Sequence, residues 1–287
     1  MRSSPVGHNA AVRSWLDPSW DATTLTTADG VAISAVHVPA TGPASGRDLA
    51  LVVVHGFTGN WRHERVQRVV ARLRAFGGVV ALDMRGHGQS GGATTVGDEE
   101  VLDVEAAVAW ARDLGYRRVA TVGFSLGGAV SLREAALAAG TPGAVDAVVS
   151  VSAPAFWFYR GTRIMRVAHW MVETAPGRTL MRFRRTRVSG RGWPDPHPIQ
   201  PFEAAAQLPG IPLLVVHGDA DHYFPLEHPE AIVDAACGSA SRVDLWVEPG
   251  VGHAESAIPP ATVDRIGAWA REACGLTVAD PQRVRLA

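Results

Sequence analysis

Residues 118–139, RVATVGFSLGGAVSLREAALAA, predict a buried strand, a sharp turn and a helix, with a serine at the apex of the turn. Residues 119–122 form a short apolar run with β-branched members, which is typical of a buried parallel strand. A G-x-S-x-G pattern follows, centred on Ser125, and an Ala/Leu-rich helical pattern begins near Leu126. Glycine on either side lets strand and helix approach closely, because it has no Cβ atom. The pattern predicts a Ser125 hydroxyl raised above a sheet at a helix N-terminus, where a developing negative charge is stabilised.

The pentapeptide alone also fits a glycine-rich turn with a bystander serine, so the rest of the chain must distinguish the two. Its 287 residues suit one large α/β domain, or one domain with an insertion. The net charge is −1 and every basic residue is Arg, with no Lys. No overall electrostatic field therefore favours nucleic acid or an anionic membrane. Cys237 and Cys274 lie in different predicted elements and form neither a disulfide framework nor a metal-binding pattern.

The N-terminal 20 residues lack the apolar core of a secretory signal, and no run of 18 apolar residues occurs. We therefore expect a soluble cytoplasmic protein.

Strand and helix patterns alternate along most of the chain. The predicted strands cover residues 22–27, 31–38, 49–54, 79–82, 119–122, 147–151, 212–216 and 243–247. The predicted helices cover residues 61–76, 98–113, a segment from 126, 226–236 and 261–273. This βαβ alternation indicates a mostly parallel sheet flanked by helices, with the first strands antiparallel.

Four regions follow from these patterns. Residues 1–17 are expected to be an N-terminal arm, and residues 18–154 the first part of an α/β core. Residues 155–209 are rich in Trp, Phe, Arg and Pro and lack strand alternation, so we interpret them as a small inserted cap. Residues 210–287 are expected to complete the core.

Chemically competent residues follow the predicted strands. Since active sites of open α/β sheets lie at the carboxyl ends of strands, these residues are expected to share one rim. The motifs, in chain order, are H-G-x-x-G at 55–59, D-x-R-G-x-G-x-S at 83–90, the Ser125 pentapeptide, G-D-x-D-x-x-x-P at 218–225 and G-H at 252–253.

In that order and spacing, the motifs resemble the α/β-hydrolase superfamily over about residues 20–273. Within that superfamily, the sequence is most similar in character to small monoacylglycerol-lipase-like and serine-peptidase-like members that carry a modest cap. The resemblance implies an eight-stranded, mostly parallel sheet and a Ser-His-Asp triad. A Ser at position 125, where other branches carry Asp, argues against a haloalkane dehalogenase or an epoxide hydrolase.

Ser125 needs a base, because a serine hydroxyl is a poor nucleophile until its proton is removed. His253 follows the last predicted strand and is the best candidate base. A carboxylate must orient its ring, and Asp219 and Asp221 compete for that role. The family pattern favours Asp221, which would leave Asp219 as a turn-capping residue. The resemblance also implies an oxyanion hole made by the backbone N–H groups of Phe57 and Leu126.

Other rim residues have structural interpretations. We expect His55 to brace its loop, and Asp83, Arg85 and His87 to hold a turn through charged hydrogen bonds. His222 and His228 are expected to be solvated, since no matching metal-ligand set exists.

Four aromatic residues are candidates for substrate binding, namely Phe57, Phe156, Trp157 and Tyr223. The predicted cap carries nine Arg against two Glu and one Asp, interleaved with aromatic residues. Three interpretations remain open for it: a solvated basic face over an apolar roof, a patch that docks on lipid surfaces, or a site for an anionic substrate group.

The sequence thus predicts a lipase-like serine hydrolase that cleaves a carboxylic ester or thioester of a small acyl substrate through Ser125, His253 and Asp221. Acyl transfer and amide or peptide hydrolysis by the same residues are alternatives, and so is a non-catalytic binding protein of the same fold. No cofactor, metal or nucleic-acid partner is expected, and the oligomeric state is left open.

Overall fold

The described part of the protein covers residues 20–44 and 46–277 of a computed structural model. The predicted arm over residues 1–17, together with residues 18 and 19 and the chain from 278 onward, lies outside the described residues.

The described chain contains one eight-stranded sheet. Its order is β1-β2-β4-β3-β5-β6-β7-β8, in which β2 runs antiparallel to both of its neighbours and all later pairs are parallel. The eight predicted strands and the mostly parallel arrangement are therefore confirmed. The strands are β1 Asp21–Thr26, β2 Ala32–Val38, β3 Leu49–Val54, β4 Gly78–Leu82, β5 Arg118–Phe124, β6 Ala147–Val151, β7 Leu213–Gly218 and β8 Val243–Glu248.

Nine α-helices connect and flank these strands within the described residues. They are α1 Glu64–Leu73, α2 Val101–Asp113, α3 Leu126–Ala138, α4 Arg163–Glu173, α5 Ala175–Phe183, α6 Pro201–Ala205, α7 Glu227–Ala236, α8 Ala254–Ala257 and α9 Pro260–Ala273. Each of the first two helices begins three residues later than the sequence pattern predicts. Among the described residues, no helix combines the length and the apolar character needed to cross a membrane.

The central strands are buried on both faces, so the sheet supports two apolar layers. In β3, Ala50, Val52 and Val54 face the layer that contains residues of α2, α3 and α7. Leu49, Leu51 and Val53 face the layer formed with α1 and α9. This alternation follows from the two-residue period of a strand, and burial on both sides explains the continuous aliphatic run.

Residues 155–209 leave the sheet after β6 and return to it at β7. This segment contains α4, α5 and α6, and α4 and α5 pack against each other. None of the residues of α4 is buried. Its apolar residues, among them Met165 and Met171, line an open cleft and are not part of a buried core. Phe183 on α5 is 82% exposed. Whether the segment acts as a separate cap stays a prediction.

The start of α3 packs so tightly on the end of β3 that Gly127 has no room for a side chain. A Cβ atom there would clash with the carbonyl oxygens of Val54 and His55. We expect Gly127→Ala to lower the free energy of unfolding by about 1–3 kcal/mol, because backbone atoms must shift to admit the methyl group. Gly143→Ala is the matched control, since its nearest neighbour would be Thr141 Oγ1 at 3.5 Å. Equal denaturation midpoints for the two variants would contradict this packing.

A buried carboxyl group on α3 predicts a pH-dependent stability. Glu134 is 3% exposed, and neither of its oxygens has a hydrogen-bond partner among the described residues. Burial, assisted by the negative charge of Glu105, raises the pKa of Glu134 from 4.5 to about 8. The unfolded chain releases this proton at lower pH than the folded chain does. The group therefore makes folding less favourable as pH rises from about 4.5 to about 8.

We expect Glu134→Gln to flatten this slope and to raise the free energy of unfolding at pH 8 by about 2–4 kcal/mol. Urea denaturation at a series of pH values measures it, with the exposed Glu230→Gln as the control. Parallel pH profiles for wild type and Glu134→Gln would show that the carboxyl group is not protonated in the fold.

Candidate active site

Ser125 stands at the junction of β5 and α3 in a backbone conformation that L-residues rarely adopt. Its φ is 50° and its ψ is −117°. The Ser125 N–H donates to the carbonyl of Val151 on the neighbouring strand at 2.8 Å. A Cβ atom at Gly123 would clash with the backbone of Gly127, so the turn requires glycine there. The predicted strand–turn–helix around Ser125 is confirmed.

Three side chains from distant parts of the chain meet at this turn. Nε2 of His253 lies 2.8 Å from Oγ of Ser125. Nδ1 of the same ring lies 2.7 Å from Oδ2 of Asp221. With Nδ1–H donating to the carboxylate, Nε2 is left as an acceptor for the serine hydroxyl. The three groups therefore form a continuous hydrogen-bonded chain from hydroxyl to carboxylate.

Asp221 is held as an ionised acceptor. Its side chain is 1% exposed. Burial opposes its ionisation, but the hydrogen bond and charge of His253 and the N–H groups of Tyr223 and Phe224 outweigh that effect, so the pKa of Asp221 lies below its ordinary value. The N–H groups donate to Oδ1 at 2.8 and 3.2 Å, which leaves Oδ2 to His253.

His217 lies beside the same carboxylate without competing for it. Its Nε2 is 3.7 Å from Oδ2 of Asp221 and donates to the carbonyl of Phe224 at 2.9 Å. Burial lowers the pKa of His217, so its ring is neutral at neutral pH. Asp219, the rival acid, accepts instead from the N–H of Gly250 at 2.6 Å. The structure therefore brings Asp221, and not Asp219, to His253.

Four of the six described non-glycine residues with positive φ lie around this chain of hydrogen bonds. Besides Ser125, positive φ values occur at Thr58 (63°), Ser152 (50°) and Ala254 (51°). Thr58 follows the H-G motif, and Ala254 follows His253 and donates through its N–H to Oγ of Ser152 at 3.1 Å. Such conformations cost about 1–3 kcal/mol each and are kept where the surroundings hold them. Here they shape the loops that carry the reactive groups.

The H-G loop is braced by His55, as the sequence predicts. Nδ1 of His55 donates to the Gly56 carbonyl at 2.7 Å, and its Nε2 accepts the Met84 N–H at 3.0 Å. The Gly59 N–H donates to the same Gly56 carbonyl at 2.9 Å. The Gly56 carbonyl and the Phe57 N–H belong to one planar peptide group. Fixing the carbonyl therefore fixes the direction in which the Phe57 N–H points.

The predicted structural turn after β4 is built as two separate charged clusters. Asp83 accepts from the Trp61 N–H at 2.7 Å and pairs with Arg62 at 3.0 Å. Arg85 pairs with Asp103 at 2.9 Å and also reaches two further carboxylates. His87 is buried against His55 and Phe57. The carboxylates of the two clusters are paired with arginines, whereas Nε2 of His87 is buried without a hydrogen-bond partner among the described residues.

The prediction that His228 is solvated is wrong, whereas His222 is exposed as predicted. His228 is fully buried, and its Nδ1 accepts the Ala155 N–H at 2.9 Å. The rings of Phe156, Tyr159 and Phe224 surround it. Burial lowers its pKa to about 4, so the ring is neutral at physiological pH. The reason is tertiary: residues 155–159 fold back over the first turn of α7.

A cleft of about 1120 Å³ opens above Ser125 and is lined by both the core loops and residues 155–209. All four aromatic residues predicted for substrate binding line it, namely Phe57, Phe156, Trp157 and Tyr223. Tyr223 also stacks on the His253 ring, with ring centroids 4.1 Å apart. The Trp157 side chain is anchored by its N–H, which donates to the Ile199 carbonyl at 2.9 Å.

Sequence reasoning missed several lining residues, including Met165, Met171, Val188, Trp193 and Glu255. Most come from the segment without strand alternation, where no periodic pattern indicated which side faces the core. Within residues 20–44 and 46–277, no three His, Cys, Asp or Glu side chains are grouped so that they could hold a metal ion. The two cysteines are free thiols, with Cys237 exposed and Cys274 buried.

A hydroxyl hydrogen-bonded to a neutral imidazole, which is itself bonded to a buried carboxylate, can deliver an alkoxide-like nucleophile to an electrophilic carbon. The first N–H groups of α3, starting with that of Leu126, have no hydrogen-bond partners within the helix. A negative charge that forms beside Ser125 can therefore be stabilised at the helix N-terminus.

Solved structures of other proteins have a similar architecture. An esterase from Pyrococcus furiosus has the same fold with a TM-score of 0.69 at 23% identity, over 94% of this chain and 96% of that chain. An α/β serine hydrolase without a lid from Xanthomonas campestris gives a TM-score of 0.61 at 18% identity, over 92% of this chain and 99% of that chain. At these identities the likeness is one of fold.

A sequence relative is the dihydrolipoyllysine-residue acetyltransferase component of the acetoin cleaving system of Pseudomonas putida, 40% identical over 91 residues. The match covers 31% of this chain and 23% of that protein, so the chain spans less than a quarter of the relative's length. Residues 50–172, which contain the H-G loop and the Ser125 turn, match the sequence model of the α/β-hydrolase fold family. On this match and the shared architecture, the chain has the α/β-hydrolase fold.

Proposed function

We propose that this protein is a serine hydrolase that cleaves a carboxylic ester or thioester through a covalent acyl-enzyme. The observation that carries the proposal is the chain of hydrogen bonds from Ser125 through His253 to Asp221, with distances of 2.8 and 2.7 Å. Ser125 is the proposed nucleophile, His253 the general base and acid, and Asp221 the group that orients the His253 ring.

In the first half of the reaction, Oγ of Ser125 attacks the substrate carbonyl carbon while Nε2 of His253 takes the hydroxyl proton. The new C–O bond forms as the carbonyl π electrons move to oxygen. The N–H groups of Phe57 and Leu126 are proposed to donate to that oxyanion. His253 then gives its proton to the departing alcohol or thiol, and the bond from the acyl carbon to the leaving group breaks.

In the second half, water takes the place of the leaving group. His253 removes a proton from the water as its oxygen attacks the acyl carbon, and the same N–H groups hold the second oxyanion. When this intermediate collapses, the bond to Ser125 breaks and His253 returns the proton to Oγ. Asp221 stays ionised throughout and stabilises the imidazolium that forms twice in each cycle.

The lining of the cleft supports an apolar acyl group as the part of the substrate that is recognised. Aromatic and aliphatic side chains flank Ser125, and flexible thioether side chains at Met165 and Met171 can adapt to different chain shapes. A carboxylesterase with lipase-like preference is the specific activity that we infer from this lining.

Acyl transfer by the same residues is the second candidate, and the acetyltransferase name of the Pseudomonas putida relative is the observation that favours it. The difference lies in whether water or another acceptor enters the acyl-enzyme. A binding protein without catalysis is the candidate of another class, and a protein that neither turns over esters nor acylates would indicate it.

The test is a series of p-nitrophenyl esters from acetate to laurate, assayed with wild type and Ser125→Ala. We expect turnover by wild type only, with kcat/KM rising with chain length as the cleft fills. Adding an alcohol acceptor and measuring the new ester separates transfer from hydrolysis. Activity that is unchanged in Ser125→Ala, or no turnover of any ester by folded wild type, would overturn the proposed function.

A further inference from the structure

A second carboxylate lies beside Ser125, outside the chain of hydrogen bonds described above. Glu255, two residues after His253, has a side chain that is 5% exposed. A Cβ atom built on Gly56 would lie 3.3 Å from both Oε2 of Glu255 and Cβ of Ser125. Gly56 therefore has the serine and this carboxylate as immediate neighbours.

Glu255 links the His253 loop to the H-G loop. Its Oε1 accepts the Gly56 N–H at 3.4 Å. Gly56 is thus held on both sides, by Glu255 at its N–H and by His55 and Gly59 at its carbonyl. The next N–H along the chain is that of Phe57, which is proposed to bind the oxyanion. A shift of Gly56 would therefore turn that N–H away from its target.

An ionised Glu255 would also be harmful on its own. A negative charge this close to a developing oxyanion raises the energy of the transition state, and the effect is large where water is excluded. Arg65 on α1 lies against the carboxylate, with its Nε 3.5 Å from Oε1. That Nε is buried and has no hydrogen-bond partner among the described residues, so its contact with Glu255 is mainly electrostatic.

We propose that Glu255 and Arg65 are a positioning pair for the oxyanion-binding loop. Glu255 fixes the Gly56 amide by accepting its N–H, and the positive charge of Arg65 compensates the negative charge of the Glu255 carboxylate. The proposal rests on the proposed function, since it assigns a role within the same reaction. It makes an asymmetric prediction. Removing the Arg65 charge alone should lower kcat more than removing the Glu255 charge alone. Removing both charges should restore much of the kcat that is lost without Arg65.

The test compares wild type, Glu255→Gln, Glu255→Ala, Arg65→Met and the double variant Glu255→Gln/Arg65→Met. Steady-state kcat and KM are measured with p-nitrophenyl acetate, whose acyl group is too short to report on the outer cleft. Arg68→Met is the matched control, because Arg68 lies on the same helix and its ion pair among the described residues is with the exposed Glu64. Thermal denaturation of each variant shows that it is folded.

We expect Glu255→Gln to keep kcat within about threefold, since the amide oxygen still accepts the Gly56 N–H. Glu255→Ala should lower kcat about tenfold at unchanged KM, because the loop loses its hold while substrate still binds. Arg65→Met should lower kcat by about 10–100-fold, and the double variant should recover to within about tenfold of wild type. Arg68→Met should match wild type.

A double variant slower than Arg65→Met, or an Arg65→Met enzyme as fast as Arg68→Met, would overturn the positioning pair while leaving the proposed function intact. Wild type that does not turn over the ester would instead overturn the proposed function, and the pair with it. A merely structural ion pair would give parallel losses of thermal stability and activity, with the double variant the worst of the set.

Discussion

Ser125→Ala is expected to lower kcat for an activated ester by about 10⁴-fold or more, to the small residual rate that substrate binding and the oxyanion donors support without a nucleophile. The hydroxyl oxygen is the atom that would form the covalent bond, and among the described contacts no other hydroxyl donates a hydrogen bond to Nε2 of His253. The loss should appear in kcat, because the cleft that binds the substrate is unchanged. Stopped-assay product detection over hours is needed to quantify the residual rate.

The control for this variant is Ser241→Ala, which removes an exposed hydroxyl far along the chain in the loop before β8. It should retain wild-type kinetics. If Ser125→Ala kept more than about one hundredth of the wild-type kcat with its fold intact, the nucleophile would have to be another group, since a serine nucleophile contributes far more than that.

Asp221→Asn is expected to lower kcat by about 10³–10⁴-fold while leaving the fold unchanged. The amide is nearly the same size as the carboxylate but lacks its charge. It can present an N–H to Nδ1 of His253, which would move the ring proton to Nε2 and prevent the ring from accepting the Ser125 proton. It also gives no charge to stabilise the imidazolium. Steady-state kcat of wild type and Asp221→Asn, measured with the same ester, checks this expectation.

Asp219→Asn is a matched control for this result, because Asp219 lies two residues earlier and was the rival acid on sequence grounds. Its carboxylate accepts from the Gly250 N–H, so its loss should cost at most a few fold in kcat. If Asp219→Asn were the slower enzyme, Asp219 and not Asp221 would orient His253, and our account would be wrong. Equally small losses in both would remove the carboxylate from the mechanism.

The sheet and the Ser125 turn were predictable because their causes are local. Buried parallel strands need continuous apolar runs such as residues 49–54, and the close approach of strand and helix demands glycine at 123 and 127. The spatial meeting of Ser125, Asp221 and His253 followed from the rule that strand ends share a rim. The residues alone left Asp219 and Asp221 as alternatives, because both belong to the same short loop. The family resemblance favoured Asp221, which is the carboxylate that lies against His253.

What could not be predicted depends on contacts between distant segments. His228 has the polar neighbours of a surface helix, and only the return of residues 155–159 over α7 buries it. In α4 the apolar side chains face a cleft, so their spacing gave no indication of a core. The partner of Glu255 is a backbone N–H 199 residues away, and no side-chain motif marks such a contact.

Covalent labelling of Ser125 tests the central claim most directly. The protein is treated with a fluorophosphonate, which reacts with serine hydroxyls activated by a neighbouring base, and the intact mass is measured for wild type and Ser125→Ala in parallel. The account predicts one adduct on wild type, mapped to the peptide that contains Ser125, and none on the variant. A folded wild-type protein without an adduct, or an adduct that persists in Ser125→Ala, would contradict it.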